Sequence, residues 1–206
     1  MLAKPGLALT CHIHFGQRVD RPVPAPGDRA GRRRPEREDR LVNPSTSTID
    51  TAHFRYVLGH FATGVTTVTA LDPASHRPVG LTVNSFASVS LRPPLVSFCV
   101  SRDSGSWPVM RTADRLCVNI LGVEQRAVCE RMAAPRVDRF QGLDWELSPG
   151  GAPVLAGVVA WVEGAVEAEH DAGDHVIVVL RVHHLHGQPD GQPLLFLGGR
   201  YGRFTH

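Results

Sequence analysis

The stretch from Thr82 to Ser106 reads TVNSFASVSLRPPLVSFCVSRDSGS. Small hydroxyl and amide side chains line its first half: Thr82, Asn84, Ser85, Ser88 and Ser90. A Pro93-Pro94 corner follows, and then Leu95 to Val100, whose β-branched and aromatic content predicts a buried strand. Ser101, Ser104, Gly105 and Ser106 come next, ending at Trp107-Pro108. A core alone does not require so many hydroxyls beside a strand pair. Every buried polar group needs a partner, so the pattern suits a surface that lays backbone and small polar groups along a flat, hydrogen-bonding ligand.

Upstream of this stretch, Val79 to Val83 reads as a strand, Asp72-Pro73 to Pro78 as a turn, and Val65 to Leu71 (VTTVTAL) as a β-rich strand. Phe54, Val57, Leu58 and Phe61 recur at helical spacing, predicting a helix with one apolar face. Ser47 to Asp50 suits its start and Gly64 its end. Residues 1–48 differ: prolines recur, an arginine-rich block runs from Gly27 to Arg40, and apolar periodicity is absent. Such a segment buries too little to offset its ordering entropy, which predicts a disordered extension over 1–48 and a folded domain over 49–206. Glu36, Glu38 and Asp39 nearly cancel the Arg32-Arg33-Arg34 cluster.

Downstream, Phe86 to Val89 predicts a further short strand, Trp107 to Arg111 a helical turn, Leu116 to Leu121 a strand and Glu124 to Ala133 an amphipathic helix. Pro135 to Gly151 shows no clear periodicity. Val158 to Ala168 alternates, with Trp161, Glu163 and Glu167 on a wet face and Val162, Val166 and Ala168 opposite. His175 to His183 reads as a strand buried on both faces, and Leu194 to Leu197 as the last strand. Many strands, few helices and no regular βα alternation exclude a doubly wound sheet and favour a small antiparallel barrel with a few peripheral helices.

The 206 residues suffice for one domain with a full core. A net charge of +2 argues against nucleic acid or an acidic membrane surface as partner. No apolar stretch has the length of a membrane helix, and residues 1–10 make a poor secretion signal. The four cysteines, Cys11, Cys99, Cys117 and Cys129, lack ligand spacing, which predicts reduced thiols in a cytoplasmic protein. There is no GxSxG and no GxGxxG. His184 and His186 share a strand face, but without HExxH or a third placed ligand no metal is expected. The turn DAGDH delivers His175 to the mouth of a buried strand, as a ligand contact or as a loop histidine with a satisfied hydrogen bond.

FRYVLGHFATGVTTVTA (Phe54 to Ala70), GLTVNSFASVSLRPPLVSFCV (Gly80 to Val100), SGSWP, LCVNIL, DRFQGLDW (Asp138 to Trp145), AGDH and PLLFLGGRYG occur in this order. Together they resemble the short-chain flavin reductases that supply reduced flavin to two-component monooxygenases. The resemblance covers about Ile49 to Phe204. It implies a mainly β, antiparallel Greek-key split barrel, the FMN-binding split barrel, assembled as a homodimer. The implied cofactors are FMN or FAD with NADH or NADPH, and the implied partner is a flavin-dependent monooxygenase.

The resemblance also implies a site. Thr82, Val83, Asn84 and Ser85 would border the isoalloxazine, and Ser88 and Val89 the ribityl chain. Val100, Ser101, Ser104 and Ser106 would approach the phosphate, where a turn entering a helix favours an anion. Arg139-Phe140 stands where the family usually has Lys-Phe, keeping the charge but changing its geometry. His175 would face the nicotinamide, and Tyr201 would help close the site. No side chain is expected to act as acid, base or nucleophile, because hydride passes directly between cofactors. Two alternatives remain: a flavin-binding or electron-carrying module without turnover, and an enzyme like the pyridoxamine-phosphate oxidases. The GDH turn favours the nicotinamide-using branch.

Overall fold

The computed structural model describes residues 49–134 and 138–205, so the expected extension over 1–48, with Cys11, lies outside the described residues. Helix α1 (Thr51–Leu58) comes first, its start fixed by Asp50, whose carboxylate accepts from the backbone N–H groups of Ala52 and His53. The next strands are β1 (Thr63–Gly64), β2 (Thr66–Leu71), β3 (Pro78–Val83), β4 (Ala87–Leu91) and β5 (Pro94–Ser101). Helix α2 (Trp107–Met110), strand β6 (Leu116–Ile120) and helix α3 (Arg126–Ala133) follow. The short strands β7 (Trp145–Leu147) and β8 (Pro153–Leu155) precede two long ones, β9 (Ala160–Ala172) and β10 (His175–Gly187). The small hairpin of β11 (Leu195–Leu197) and β12 (Arg200–Gly202) ends the chain.

Seven strands form one antiparallel sheet in the order β3-β2-β6-β9-β10-β5-β4. Its two edge strands, β3 and β4, are consecutive in the chain, so the sheet curls until they meet. They do not close by a regular ladder. Instead Ser85, in the link between them, accepts from the Cys99 backbone N–H at 2.8 Å and donates to the Cys99 carbonyl at 3.3 Å. This split beside β5 is where the hydroxyl-rich stretch lies. The barrel interior holds Val68, Leu81, Phe98, Leu116, Val178 and Leu180, all fully buried. Each such side chain contributes about 1.5–3 kcal/mol relative to exposure. Helix α2 plugs one end: Met110 is fully buried, and Trp107 meets Phe98 edge to face at 5.8 Å.

A second apolar layer covers the outer face of β2 and β6. Cys117, Leu121, Cys129, Met132, Phe140 and Leu155 pack there beneath α3 and the β7–β8 hairpin. Asn119 fastens this layer. It donates to the Thr67 and Cys117 carbonyls and to Thr69 Oγ1, and accepts from the Leu155 N–H. Burial pushes the Cys129 thiol up to about 11, so it is a packed, protonated thiol.

Several sequence expectations need correction. The first helix ends with a cap at Gly59 rather than at Gly64, which instead pairs with Leu195 in β1. It buries none of its residues, so the apolar face of Phe54, Val57 and Leu58 is exposed. The segment without periodicity contains β7, because a short, exposed strand carries too little pattern to be read. Glu163, expected on a wet face, is fully buried. The β7–β8 hairpin covers it, with the Gly150 N–H donating to its carboxylate at 2.9 Å, and Arg115 forms an ion pair with it at 3.7 Å. Glu167 is the extra residue of a β-bulge, so Ala168 leaves the face of Val166 and pairs with Val179. In β10, Val176, Val178 and Leu180 are buried, whereas Ile177 and Val179 on the outer face are half-buried.

Candidate functional site

Three separate segments meet on the Arg139 guanidinium. It donates from Nη1 to the Gly80 carbonyl of β3 at 2.5 Å and to Ser106 Oγ, at the start of α2, at 2.7 Å. Its Nε donates to the Ala134 carbonyl at 3.1 Å. None of these acceptors is charged, and among the described residues no carboxylate pairs with it. Burial alone lowers its pKa from the ordinary arginine value. A half-buried cation without a counter-charge is an anion site by elementary electrostatics. Ser106 Oγ already accepts from Arg139, so its own proton is free to be donated to the same anion.

This corner opens into a cavity of about 730 Å³. Gly80, Ser106, Arg139 and Phe140 line it. Ser75 and Arg77 of the β2–β3 turn, Val79 of β3, and Gln141 and Trp145 also line it. That turn is built by Asp72, whose carboxylate accepts from Ser75 Oγ at 2.6 Å and from the Ala74 N–H at 2.9 Å. The Ser75 bond, then the backbone bond, holds the Asp72 carboxyl below its usual range.

The turn from Ser101 to Ser106 leads into this corner. Ser101 and Ser104 are buried, and their hydroxyls accept from the N–H groups of Asp103 and Trp107. Opposite Ser101, in register across β5 and β10, stands His175. Its Nδ1 lies 2.7 Å from the Asp174 carboxylate, which orients the ring. Nε2 is buried and has no hydrogen-bond partner among the described residues. Arg102 grips the same hairpin turn, with its N–H on the Asp174 carbonyl, Nε on the Gly173 carbonyl and Nη2 on the Asp171 carboxylate. The phosphate-like corner and His175 are thus joined by one short turn.

The other predicted residues divide by face. Val83 and Val100 point into the barrel core, leaving only backbone for a ligand. Thr82 lies on the opposite face of β3, fully buried across from Thr67, and its hydroxyl has no hydrogen-bond partner among the described residues. Asn84 is half-buried in the link to β4. Ser85 is engaged with Cys99, while Ser88 and Val89 are exposed on β4. Tyr201 does not line the cavity. Its hydroxyl lies 3.3 Å from Cys129 Sγ, and its ring packs beside Phe196 and under Arg126. Burial, then the Cys129 contact, raises its pKa above the ordinary phenol value.

Sequence reasoning missed Arg77, Gln141, Trp145 and Arg102. Gln141 and Trp145 belong to the DRFQGLDW motif and were within reach of it. Arg77 and Arg102 carry no local signal, because only the fold brings them to their partners. A half-buried cation without a carboxylate partner among the described residues and a cavity of this size fit an anionic ligand such as a phosphate ester, with room for a second group beside it. Among the described residues no group of three or more His, Cys, Asp or Glu side chains could hold a metal ion. None of the described helices is long and apolar enough to cross a membrane.

Comparison with known proteins gives the following. Residues 58–205 match the model of the flavin reductase like domain. A flavin-dependent monooxygenase reductase subunit from Rhodococcus jostii is 42% identical over 157 residues, 76% of this chain and 80% of that protein. An FMN reductase (NADH) from Agrobacterium fabrum is 45% identical over 156 residues, 74% of this chain and 85% of that protein. A solved NADH:FAD oxidoreductase from Streptomyces globisporus, in complex with NAD and FAD fragments, superposes with a TM-score of 0.71 at 38% identity. That match covers 81% of this chain and 97% of the other.

Proposed function

The chain belongs to the flavin reductase-like family, and from that premise we infer that it is an NAD(P)H-dependent flavin reductase supplying reduced flavin to a partner monooxygenase. The observation that carries the site assignment is Arg139, a half-buried cation without a carboxylate partner among the described residues, which shares Ser106 with the mouth of the cavity. When bound, the flavin accepts the hydride and the nicotinamide supplies it. The chain's own task is to bind, orient and exclude water.

Arg139 and Ser106 hold the flavin phosphate through charge-assisted hydrogen bonds. The backbone of Thr82 to Ser85, beside the split, borders the ring system, and Ser88 and Val89 border the ribityl chain. His175 orients the nicotinamide through Nε2, with Asp174 orienting the ring and Arg102 fixing the turn. Ser101 and Ser104 shape the phosphate turn through the backbone N–H groups they accept from, and each keeps its hydroxyl proton to donate. Residues 49–206 hold the whole reductase unit, so a chain without residues 1–48 retains flavin reduction.

The functional protein is a homodimer. One chain leaves Phe54 49% and Leu91 89% exposed, and the outer face of β10 half-covered at Ile177 and Val179. Apolar surface of this kind next to a site marks an interface. Tyr201 then acts on its own chain by anchoring α3 beneath the site. Mixing the protein with flavin and NADH and following the nicotinamide absorbance tests the activity. Steady loss of that absorbance, dependent on added flavin, is the expected result. A flavin-binding protein that leaves NADH unconsumed is instead a carrier module. Sedimentation at micromolar concentration tests the assembly, and an active monomer contradicts it.

A further inference from the structure

The end of α3 and the loop that carries Arg139 exchange two guanidinium-to-carbonyl hydrogen bonds. Arg139 Nε donates back to the carbonyl of Ala134, the residue that caps α3, at 3.1 Å. Arg131, in the last turn of α3, donates from Nη1 to the Gln141 carbonyl at 2.7 Å. The second bond catches the main chain two residues beyond Arg139. Other backbone bonds of this stretch stay within it. The Gln141 N–H reaches the Asp138 carbonyl, the Leu143 N–H the Phe140 carbonyl, and the Phe140 N–H the Asp138 carboxylate. Side chains tie the loop to the barrel through the buried Phe140, through Arg139 itself and through the exposed Arg77–Asp138 pair. Among the described residues, Arg131 is the one side chain outside residues 138–143 that binds their main chain. Its neighbour on α3, Arg126, is engaged instead with Glu130 at 2.8 Å.

We propose that Arg131 is a positioning residue for flavin binding, which holds the Gln141 carbonyl and thereby sets the direction in which Arg139 presents its guanidinium. The proposal rests on the reading above, that Arg139 and Ser106 hold the flavin phosphate. The Arg139 head group is a rigid planar fork, and its Nη1 already meets the Gly80 carbonyl and Ser106 Oγ. A fork of fixed geometry is spoiled by a small rotation of the backbone that carries it. Burial of the Phe140 ring fixes a side chain, whereas the bond to Gln141 fixes the peptide that follows it. Arg131 is exposed and does not line the cavity, so it acts through the loop and not on the ligand. A cation in the last turn of a helix also stabilises the helix dipole. That ordinary role changes stability alone, which lets an experiment separate the two.

Riboflavin and FMN are titrated by flavin fluorescence quenching against the full chain and its Arg131→Ala, Arg131→Lys and Arg139→Ala variants. Alanine is a good helix former and Arg131 is exposed, so α3 tolerates the first substitution. Arg131→Gln takes its place if the alanine variant does not fold. Arg131→Ala is expected to cut the preference for FMN over riboflavin roughly three- to tenfold, as the loss of one hydrogen bond implies. Riboflavin affinity stays as it was. Arg131→Lys, whose ammonium still donates to a carbonyl, keeps most of the preference. The difference between wild type and Arg131→Ala persists in about 1 M salt, where the screening length is about 3 Å. A difference that vanishes there makes Arg131 a remote charge and overturns the positioning role. A lower unfolding midpoint with an unchanged preference leaves Arg131 a helix-end cation and also overturns it. If Arg139→Ala erases the preference while Arg131→Ala leaves it whole, this inference falls and the phosphate corner stands. If Arg139→Ala leaves the preference whole, the corner falls and this inference with it.

Discussion

At the Ser106 end of the site, three segments of one chain converge on a single guanidinium, and their hydrogen bonds orient Arg139. At the Thr82–Ser88 end, the edge strand β4 leaves Ser88 and Val89 exposed, and the Ser85 hydroxyl bridges the split to Cys99. The first end is preorganised by burial and charge, as the proposed anchoring of the flavin requires. The second is open at Ser88 and Val89, as a face that a nicotinamide enters and leaves would be. On the proposed assignment, affinity and reactivity are set by different residues. Substitutions at one end should leave the other largely untouched.

The largest effect that would break this division is expected at His175. His175→Ala should slow hydride transfer by as much as about a hundredfold, because a misplaced nicotinamide loses orientation. Flavin affinity, measured by fluorescence quenching on the folded variant, should stay nearly constant. A collapse of flavin binding with unchanged NADH dependence would place His175 on the flavin instead.

A middle-sized effect is expected at the split itself. Ser85→Ala leaves the Cys99 N–H without its acceptor, costing about 1–3 kcal/mol of stability. The midpoint of thermal unfolding should fall, while the preference for FMN over riboflavin stays as it was. Loss of that preference would mean that the two ends are not separable.

The smallest effect concerns the β2–β3 turn. Hydrogen bonds from Ser75 and Ala74 lower the Asp72 pKa, so the folded chain binds its proton more weakly than the unfolded one. The contribution is therefore fully present above the ordinary aspartate value of about 3.9 and is lost as pH falls through that region. Asp72→Asn should lower stability slightly at neutral pH, leave it nearly unchanged at acid pH, and so flatten this acid limb. An equal loss at neutral and acid pH would show that the turn depends on the side chain's shape and not on its charge.

Much of the fold was legible because long, buried, β-branched runs such as VTTVTAL and LVSFCV announce themselves. Arg139 and Ser106 were reached only through the family resemblance, which runs through DRFQG and SGSWP, and the fold brings the two side chains together. Glu163 was not legible: alternation assigns it a face, but only the β7–β8 hairpin, packed from elsewhere, decides that the face is dry. Arg102 and Arg77 were silent for a related reason. Their partners lie 69 and 61 residues away, so no local pattern marks them. The helix stop at Gly59 was hidden because Phe61 keeps the helical spacing for one further turn without burying anything.

The central claim, that one chain's Arg139 corner holds the flavin by its phosphate, is tested most directly by one comparison of affinities. Riboflavin and FMN are titrated against the wild-type chain and against Arg139→Ala, with flavin fluorescence as the readout. FMN is expected to bind the wild type roughly ten- to a hundredfold better than riboflavin does, matching about 1.5–3 kcal/mol for a charge-assisted contact. Arg139→Ala should erase that advantage and leave riboflavin affinity unchanged. An FMN advantage of the same size in both proteins would contradict the account.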